Sequence, residues 1–233
     1  MRWSRNILLG NDIVNLSTER SKLKHLDQRF INRVFTDNEQ SIIQQVNSDN
    51  KSTILWAIWA AKEAAFKACQ KQDPGLIFSH RKFDINFDIK LPMLDLTNYS
   101  EHNINFTGTA NYKNKILALT WQFSKHTVHC IAMLLDNNLL FIDWHKINYN
   151  IFIIDSTNHN IESLQTRSFA KQFLISKGFD PPIEIIRQNI IVNKTKRYGP
   201  PIVFIKNHTL TNIEISLSHD HGWGAVAFID LMT

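Results

Sequence analysis

The chain has 233 residues, of which 43% are hydrophobic and 20% charged, a composition typical of a folded protein that buries a sizeable core. No apolar run reaches the length of a membrane span, about 18 residues or more, and the apolar stretch near the start is too short for a signal peptide, so we expect a cytoplasmic protein. The net charge of +5 suits an acidic partner without choosing among protein, nucleotide and nucleic acid. Cys69 and Cys130 lack the spacing of a metal knuckle or a redox pair, so we expect free thiols.

The first elements combine an isolated acid with a basic stretch. Apolar residues on both sides of Asp12 predict a strand over residues 5–16, and Asp12 is either an Asx-turn residue after Gly10 or a functional carboxylate. Residues 17–35 predict a helical stretch in which positive charges outnumber negative ones. This stretch is either a solvated face or a docking surface for an acidic partner, and its basic residues are Arg20, Lys22, Lys24, Arg29 and Arg33.

Two helices are predicted next. Thr36 and Glu39 have the spacing of a capping box, which predicts a helix over residues 37–46. A second, mostly apolar helix is predicted from about residue 54 to the helix-breaking sequence at 73–75. Its apolar character makes it the central helix of the fold.

Glu63 is the anomalous residue of this central helix. Helical spacing puts it on one face with Trp56, Trp59 and Lys67, so that a carboxylate lies between two tryptophans and an ammonium group. One interpretation is a surface pair of Glu63 with Lys67, which stabilises a helix by about 0.3 to 0.5 kcal/mol. The other is a buried carboxylate, which costs several kcal/mol unless a cation or a metal compensates it. The helix alone does not decide between them.

The remainder of the chain predicts two clusters of strands around one helix. Short alternating runs indicate antiparallel strands over 83–89, 104–112, 116–123 and 128–135, and further strand-like runs lie at 139–144 and 151–154. An amphipathic helix that contains Arg167 is predicted from about residue 156 to a stop at Gly178. The closing cluster comprises strands at 183–188, 213–219 and 223–231, together with an edge-like strand after a break at 199–201.

Four motifs, taken in order, resemble the 4'-phosphopantetheinyl transferase superfamily. The family's acidic strand is similar to residues 10–14, its following helix start to 29–39, and its central Lys-Glu helix to 59–67. Its strand-turn-strand that ends on a histidine is similar to residues 216–227, which contain Ser218 and His219. The motifs cover roughly residues 8–69 and 164–229, and only strand character matches between them.

The resemblance implies an α+β fold of two similar halves, each a helix packed on a small antiparallel sheet. Residues 1–145 hold the acidic motif and the Lys-Glu helix, and residues 146–233 hold a coenzyme A-binding arginine and the Ser-His turn. In the pseudo-dimeric branch of the family, the segment that resembles the second half comes first, so this chain is similar to that branch with its halves in swapped order. The shorter trimeric synthases of the family share the order found here. Because this chain supplies both halves, we expect a competent monomer.

Two residues depart from the pseudo-dimeric branch. Val14 stands where that branch has a second acid, so Asp12 and Glu63 are the metal ligands that the resemblance implies. Pro200 stands where it has a phosphate-binding lysine, and Lys196 or Arg197 is the candidate replacement.

The implied activity is holo-[acyl-carrier-protein] synthase activity: the 4'-phosphopantetheine arm of coenzyme A passes to a serine of an apo acyl or peptidyl carrier protein, and adenosine 3',5'-bisphosphate is released. The carrier belongs either to fatty acid biosynthesis or to a secondary pathway. The implied site comprises Mg2+ on Asp12 and Glu63, Lys62 and Lys67 at phosphate oxygens, and Arg167, Ser218 and His219 at coenzyme A. Glu63, Asp12 and Lys67 are the expected catalytic set, with either Glu63 or a metal-bound water as the base.

Partner predictions follow from the same resemblance. Carrier proteins are acidic around the target serine, so Arg20, Arg29 and Arg33 are the expected docking residues. A catalytically silent carrier-binding module would keep this basic stretch and lose the metal acids, yet both acids are present. A nucleic-acid-binding module would need stacking motifs or basic patches interleaved with aromatic residues, which the sequence lacks. We therefore expect neither nucleic acid nor membrane as a partner.

Overall fold

The computed structural model describes residues 7–88, 104–135, 143–192, 195–206 and 208–232. Its helices are α1 (Glu19–Leu23), α2 (Gln28–Val34), α3 (Asp37–Gln45), α4 (Lys51–Gln72) and α5 (His159–Ser176). Its strands are β1 (Ile7–Asn15), β2 (Asp84–Phe87), β3 (Ile104–Tyr112), β4 (Lys115–Phe123), β5 (Thr127–Leu135), β6 (Asn148–Ile153), β7 (Ile183–Val192), β8 (Thr195–Ile205), β9 (His208–Thr209), β10 (Ile213–Asp220) and β11 (Trp223–Asp230). Helices on antiparallel sheets confirm the predicted α+β class.

The first half is one sheet covered by the central helix. Its strand order is β1-β5-β4-β3-β2, and α4 packs against β1 and β5. The contact is close because Gly10 has no side chain: a Cβ there would lie 2.0 Å from the carbonyl oxygen of Ala64. Gly10 and Asp12 are two residues apart on β1 and point to the same face, so this approach also brings Asp12 towards α4.

The helices before α4 follow their capping residues. The capping box of α3 is confirmed, since the backbone N–H of Thr36 donates to Glu39 Oε2 and that of Glu39 donates to the Thr36 hydroxyl. The basic stretch divides into α1 and α2, because Asp27 starts α2 by accepting a hydrogen bond from the N–H of Phe30. Thr18 caps α1 in the same way.

The second half repeats part of the first. Its strand order β10-β11-β6 corresponds to β4-β5-β1, and α5 packs against β10 and β11. The predicted break at 199–201 is wrong, because β8 runs through both prolines. The structure tolerates them because β9 pairs only with Phe204 and Ile205, so within the described residues no strand needs an N–H from Pro200 or Pro201 on that edge.

The two halves meet along β1. This strand is at the edge of its sheet, and its open edge faces β10: the N–H of Asn11 donates to Ser216 Oγ (2.9 Å), and that of Asn15 donates to Asp220 Oδ2 (2.8 Å). Lys71 of α4 and Glu214 of β10 form a buried ion pair of 2.6 Å across the same seam. A ligand that binds at this seam would therefore contact residues of both halves.

Three further features of the structure concern the two cysteines, the region after β5 and the possibility of a membrane-spanning helix. Cys69 and Cys130 are buried free thiols, as expected. The predicted strand at 139–144 lies largely outside the described residues, and Trp144 itself begins a short 3-10 turn (Trp144–Lys146). Within the described part of the chain, no helix is both long enough and apolar enough to span a bilayer.

Candidate active site

A cavity of about 300 Å³ lies at the seam between the halves. Its walls come from β1, the start of α1, one face of α4, the start of α5 and the turn after β10, and they include Asp12, Thr18, Arg20, Ser21, Trp56, Trp59, Glu63, His159, His219, Asp220 and His221. Asp12, Glu63 and His219, predicted from three separate motifs, thus meet at one cavity.

Asp12 is held by Lys67. The Lys67 ammonium group donates to Asp12 Oδ1 (2.8 Å) and to the backbone carbonyl of Asn11 (2.9 Å). Burial raises the pKa of Asp12, the positive charge of Lys67 opposes that rise, and the nearby carboxylate of Asp220 adds to it. The Asx-turn interpretation does not apply, because Asp12 lies inside β1.

Glu63 is a carboxylate in an environment that disfavours its charge. Burial, and secondarily the negative charge of Asp12, raise the pKa of Glu63 to about 7, while Lys67 acts in the opposite direction. Among the described residues none forms an ion pair with Glu63, since Lys67 pairs with Asp12 instead. The surface pair of Glu63 with Lys67 is therefore not formed.

Two neighbouring acids of this kind fit a hard cation. Mg2+ takes one or two carboxylates and fills its remaining positions with water and phosphate oxygens. A bound cation would also relieve the charge repulsion that raises the pKa of Glu63. In the described ranges no group of three His, Cys, Asp or Glu side chains is arranged to hold a metal ion.

Asp220 is a third acid at the cavity that sequence reasoning missed. Its Oδ2 accepts the hydrogen bond from Asn15 on β1, and burial raises its pKa. The available signal was its position between His219 and His221 at a turn, but only the packing of β10 on β1 shows that it faces Asp12.

His219 is oriented by a buried acid of α5. Its Nδ1 lies 3.3 Å from Glu162 Oε2, and Glu162 Oε1 accepts the N–H of Gly222 at 2.7 Å. Burial lowers the pKa of His219, and Glu162 partly offsets the effect. The Ser218 hydroxyl is buried and has no hydrogen-bond partner in the described part of the chain, but Ser218 is not among the residues that line the cavity. Ser218 and His219 are consecutive on β10, and successive side chains of a strand point to opposite faces.

Lys62 does not reach the cavity. Its side chain is fully buried, its ammonium group forms a 2.7 Å ion pair with Glu39, and it donates to the carbonyls of His80 (3.0 Å) and Phe83 (2.5 Å). Lys62 therefore lies in the core of the first half, and its contact with phosphate oxygens stays a prediction that this position does not favour.

The remaining predicted residues lie around the cavity. Arg167 donates to Ser163 Oγ (2.9 Å), stands two turns after His159 on α5, and is not among the described lining residues. Arg20 lines the cavity, with its guanidinium 5.4 Å from the centre of the Trp56 ring. Arg29 and Arg33 lie on the exposed surface of α2. The predicted docking residues are thus divided between the cavity wall and the surface beside it.

Known proteins resemble the half of the chain that carries the acids. A family model described as the 4'-phosphopantetheinyl transferase superfamily matches residues 8–120. The holo-[acyl-carrier-protein] synthase of Protochlamydia amoebophila (strain UWE25) is 43% identical over 60 residues, 26% of this chain and 48% of that protein, so the match spans about half of that relative's length. The enzyme of the same name from Oceanobacillus iheyensis is 28% identical over 99 residues, 42% of this chain and 82% of its own. Asp12 and Glu63 both lie inside residues 8–120, the part of the chain that matches the 4'-phosphopantetheinyl transferase superfamily.

Proposed function

We propose that this protein transfers the 4'-phosphopantetheine arm of coenzyme A to a serine of an apo acyl or peptidyl carrier protein and releases adenosine 3',5'-bisphosphate. The observation that carries the proposal is the pair of acids, buried Asp12 and half-buried Glu63, in a cavity whose wall also contains His219. Both relatives described above are named as holo-[acyl-carrier-protein] synthases, which supports the same reaction class.

Asp12 and Glu63 would hold Mg2+, which when bound neutralises negative charge that develops as a pyrophosphate is cleaved. Lys67 holds Asp12 in position through their 2.8 Å hydrogen bond, and its positive charge favours the ionised form of that carboxyl group. An ammonium group has three donors, and two of those of Lys67 are engaged with Asp12 and Asn11. The third has no acceptor among the described residues, and it would be available to a phosphate oxygen.

The second half would bind the nucleotide end of coenzyme A. Glu162 holds His219 at the cavity wall. His159, Ser163 and Arg167 follow one another at steps of four along one face of α5, so Arg167 extends the wall beyond the cavity. A long ligand that occupies the cavity with its pyrophosphate could thus contact Arg167 with a phosphate at its other end.

The carrier would dock on α1 and α2. Arg29 and Arg33 are exposed there, and Leu23 and Leu26 expose 60% and 69% of their surface beside them. Thr18, Arg20 and Ser21 of the same segment line the cavity. A carrier with an acidic surface that binds α1 and α2 would therefore present its serine at the cavity mouth.

The test is direct. The purified protein is incubated with coenzyme A, Mg2+ and an apo carrier protein, and the mass of the carrier is measured for the added phosphopantetheine. We expect transfer by the wild type and a loss of about 100-fold or more in Asp12→Asn and in Glu63→Gln, because each substitution keeps shape and removes a charge worth several kcal/mol in the transition state. Carrier binding without any transfer would instead indicate a catalytically silent carrier-binding module.

A further inference from the structure

His221 stands at the cavity mouth on an unusual backbone. It lines the cavity and has a φ of +43°, and Gly222 after it has a φ of +87°. These two left-handed residues form the two-residue turn between β10 and β11. Left-handed backbone is uncommon for residues other than glycine, although histidine is among those enriched there. The turn therefore holds an imidazole where a glycine would be less strained.

Bonds from the first half fix this turn against the metal-acid strand. Asn15 of β1 donates its side-chain amide to the carbonyl oxygen of His221 (2.7 Å) and its backbone N–H to Asp220 (2.8 Å). Asn15 is three residues after Asp12 and directly precedes the segment that leads into α1. His221 is thus anchored between the buried acids and the surface on which a carrier would dock.

The carboxylate of Asp220 lies beside the ring of His221. His221 Nδ1 is 3.3 Å from Asp220 Oδ1, within ion-pair distance. Of the two neutral tautomers of His221, the carboxylate favours the one with its proton on Nδ1, which leaves the lone pair on Nε2. The His221 side chain is 46% exposed, compared with 12% for that of Asp12. The imidazole of His221 is therefore more accessible than the Asp12 carboxylate to a group that arrives from solvent.

We infer that His221, oriented by Asp220, is the general base that deprotonates the carrier serine; the inference rests on the function proposed above. The serine hydroxyl gives its proton to Nε2, and its oxygen forms a bond to the phosphorus of the phosphopantetheine phosphate. The bond from that phosphorus to the bridging pyrophosphate oxygen breaks, and adenosine 3',5'-bisphosphate leaves with the electron pair. The imidazolium then releases the proton to solvent.

His221 suits this role better than the other candidates at the cavity. Glu63 is half-buried, and in the proposed function its carboxylate would hold the cation, whereas the serine belongs to a second protein and enters from solvent. His219 is 16% exposed and is bound by Glu162 on the α5 side. His159 packs against His219, with ring centres 4.8 Å apart, on that same side.

The experiment compares His221→Asn with the wild type. Asparagine tolerates left-handed backbone and can direct an amide N–H to Asp220, but it cannot accept a proton at neutral pH. His126→Asn is the matched control, because His126 is an exposed histidine beside the turn between β4 and β5. The kcat for transfer, the affinity for coenzyme A by calorimetry and the KM for the carrier are measured for each protein. A further variant, His221→Gly, is assayed with and without added imidazole.

We expect kcat to fall by about 100-fold or more in His221→Asn, with unchanged coenzyme A affinity and carrier KM, and His126→Asn to behave as the wild type. Imidazole is expected to restore part of the turnover of His221→Gly. Wild-type kcat in His221→Asn, a loss of binding that accounts for the lower rate, or no rescue by imidazole would each overturn the role of His221. A wild-type protein that transfers nothing would overturn the proposed function itself, which separates the two failures.

Discussion

Lys62 Nζ lies 2.7 Å from Glu39 Oε2, and neither side chain is exposed to solvent. Glu39 also completes the capping box of α3 and accepts the N–H of Ile85 at 2.9 Å. Lys62 therefore compensates a buried charge that joins α3, α4 and β2, whereas its neighbour Glu63 faces the cavity. The side chains of adjacent helix residues differ in direction by about 100°, so Lys62 points into the core while Glu63 points into the cavity.

We predict that Lys62→Met lowers the free energy of unfolding by about 3 to 5 kcal/mol, because it leaves the Glu39 carboxylate buried without its partner. Denaturant unfolding measures this loss. The affinity of the folded fraction for coenzyme A should not change. Lys67→Met is the control, since the partly exposed Lys67 should matter less for stability and more for transfer. A Lys62→Met protein of full stability with weakened coenzyme A binding would restore the phosphate-binding role.

Much of the fold could be predicted from local patterns. The capping box at Thr36, the strand around Asp12 and the long helix around Glu63 all appear where hydrophobic periodicity and capping chemistry indicate. The break at 199–201 was wrong because the cost of a proline in a strand depends on whether its N–H is needed, which the sheet decides and the sequence does not.

The site was only partly predictable for a related reason. Motifs identified Asp12, Glu63 and His219 separately. The positions of Asp220 and His221 at the cavity depend on Asn15, which donates hydrogen bonds to both from the other half of the chain. The ion pair of Lys62 with Glu39 was not foreseen, because Glu39 lies 23 positions earlier and helical spacing carries no information about so distant a contact. Contacts between residues that are far apart in the sequence cannot be predicted from local sequence patterns.

We predict that the metal-free protein loses stability relative to Glu63→Gln as the pH rises from about 5 to about 8. Folding raises the pKa of Glu63 from its ordinary 4.5 to about 7, so the folded state binds this proton more tightly, and its stabilising effect disappears as the proton is lost. Mg2+ should raise the melting temperature of the wild type at pH 8 and not that of Glu63→Gln. Thermal melts with Mg2+ or a chelator, at both pH values, measure the difference. Equal Mg2+ shifts in the two proteins would contradict a cation site at Glu63.

We predict that reversing Arg29 and Arg33 to Glu weakens carrier binding and leaves coenzyme A affinity unchanged, because exposed charges act mainly on encounter and partner choice. The KM for the carrier should rise about tenfold or more at low salt, and the difference should shrink as salt screens the charges. The control reverses Lys113 and Lys115, which carry the same total charge near the C-terminal end of α4, where Lys115 contacts Gln72. An unchanged carrier KM at low salt in the α2 variant would count against docking there.

We predict, finally, that one chain forms a complete active site. Asp12 and Glu63 come from the first half and His219 from the second, and the halves are joined within the chain by the bond from Asn11 to Ser216 and the buried pair of Lys71 with Glu214. Truncating one partner of such a buried pair is costly, so the seam should not open readily to exchange halves with a second copy.

Mixing two inactive variants tests this arrangement. Glu63→Gln and His219→Ala each damage a different half, so a site built within one chain stays damaged in every molecule of the mixture. A site shared between copies would combine the intact first half of one chain with the intact second half of another, and activity would return in proportion to mixed pairs. We expect no recovery, together with a monomeric mass by sedimentation, and an equal mixture of wild type with Glu63→Gln should show half the wild-type specific activity. Activity regained from the two inactive variants would mean that the seam seen within one chain also forms between chains.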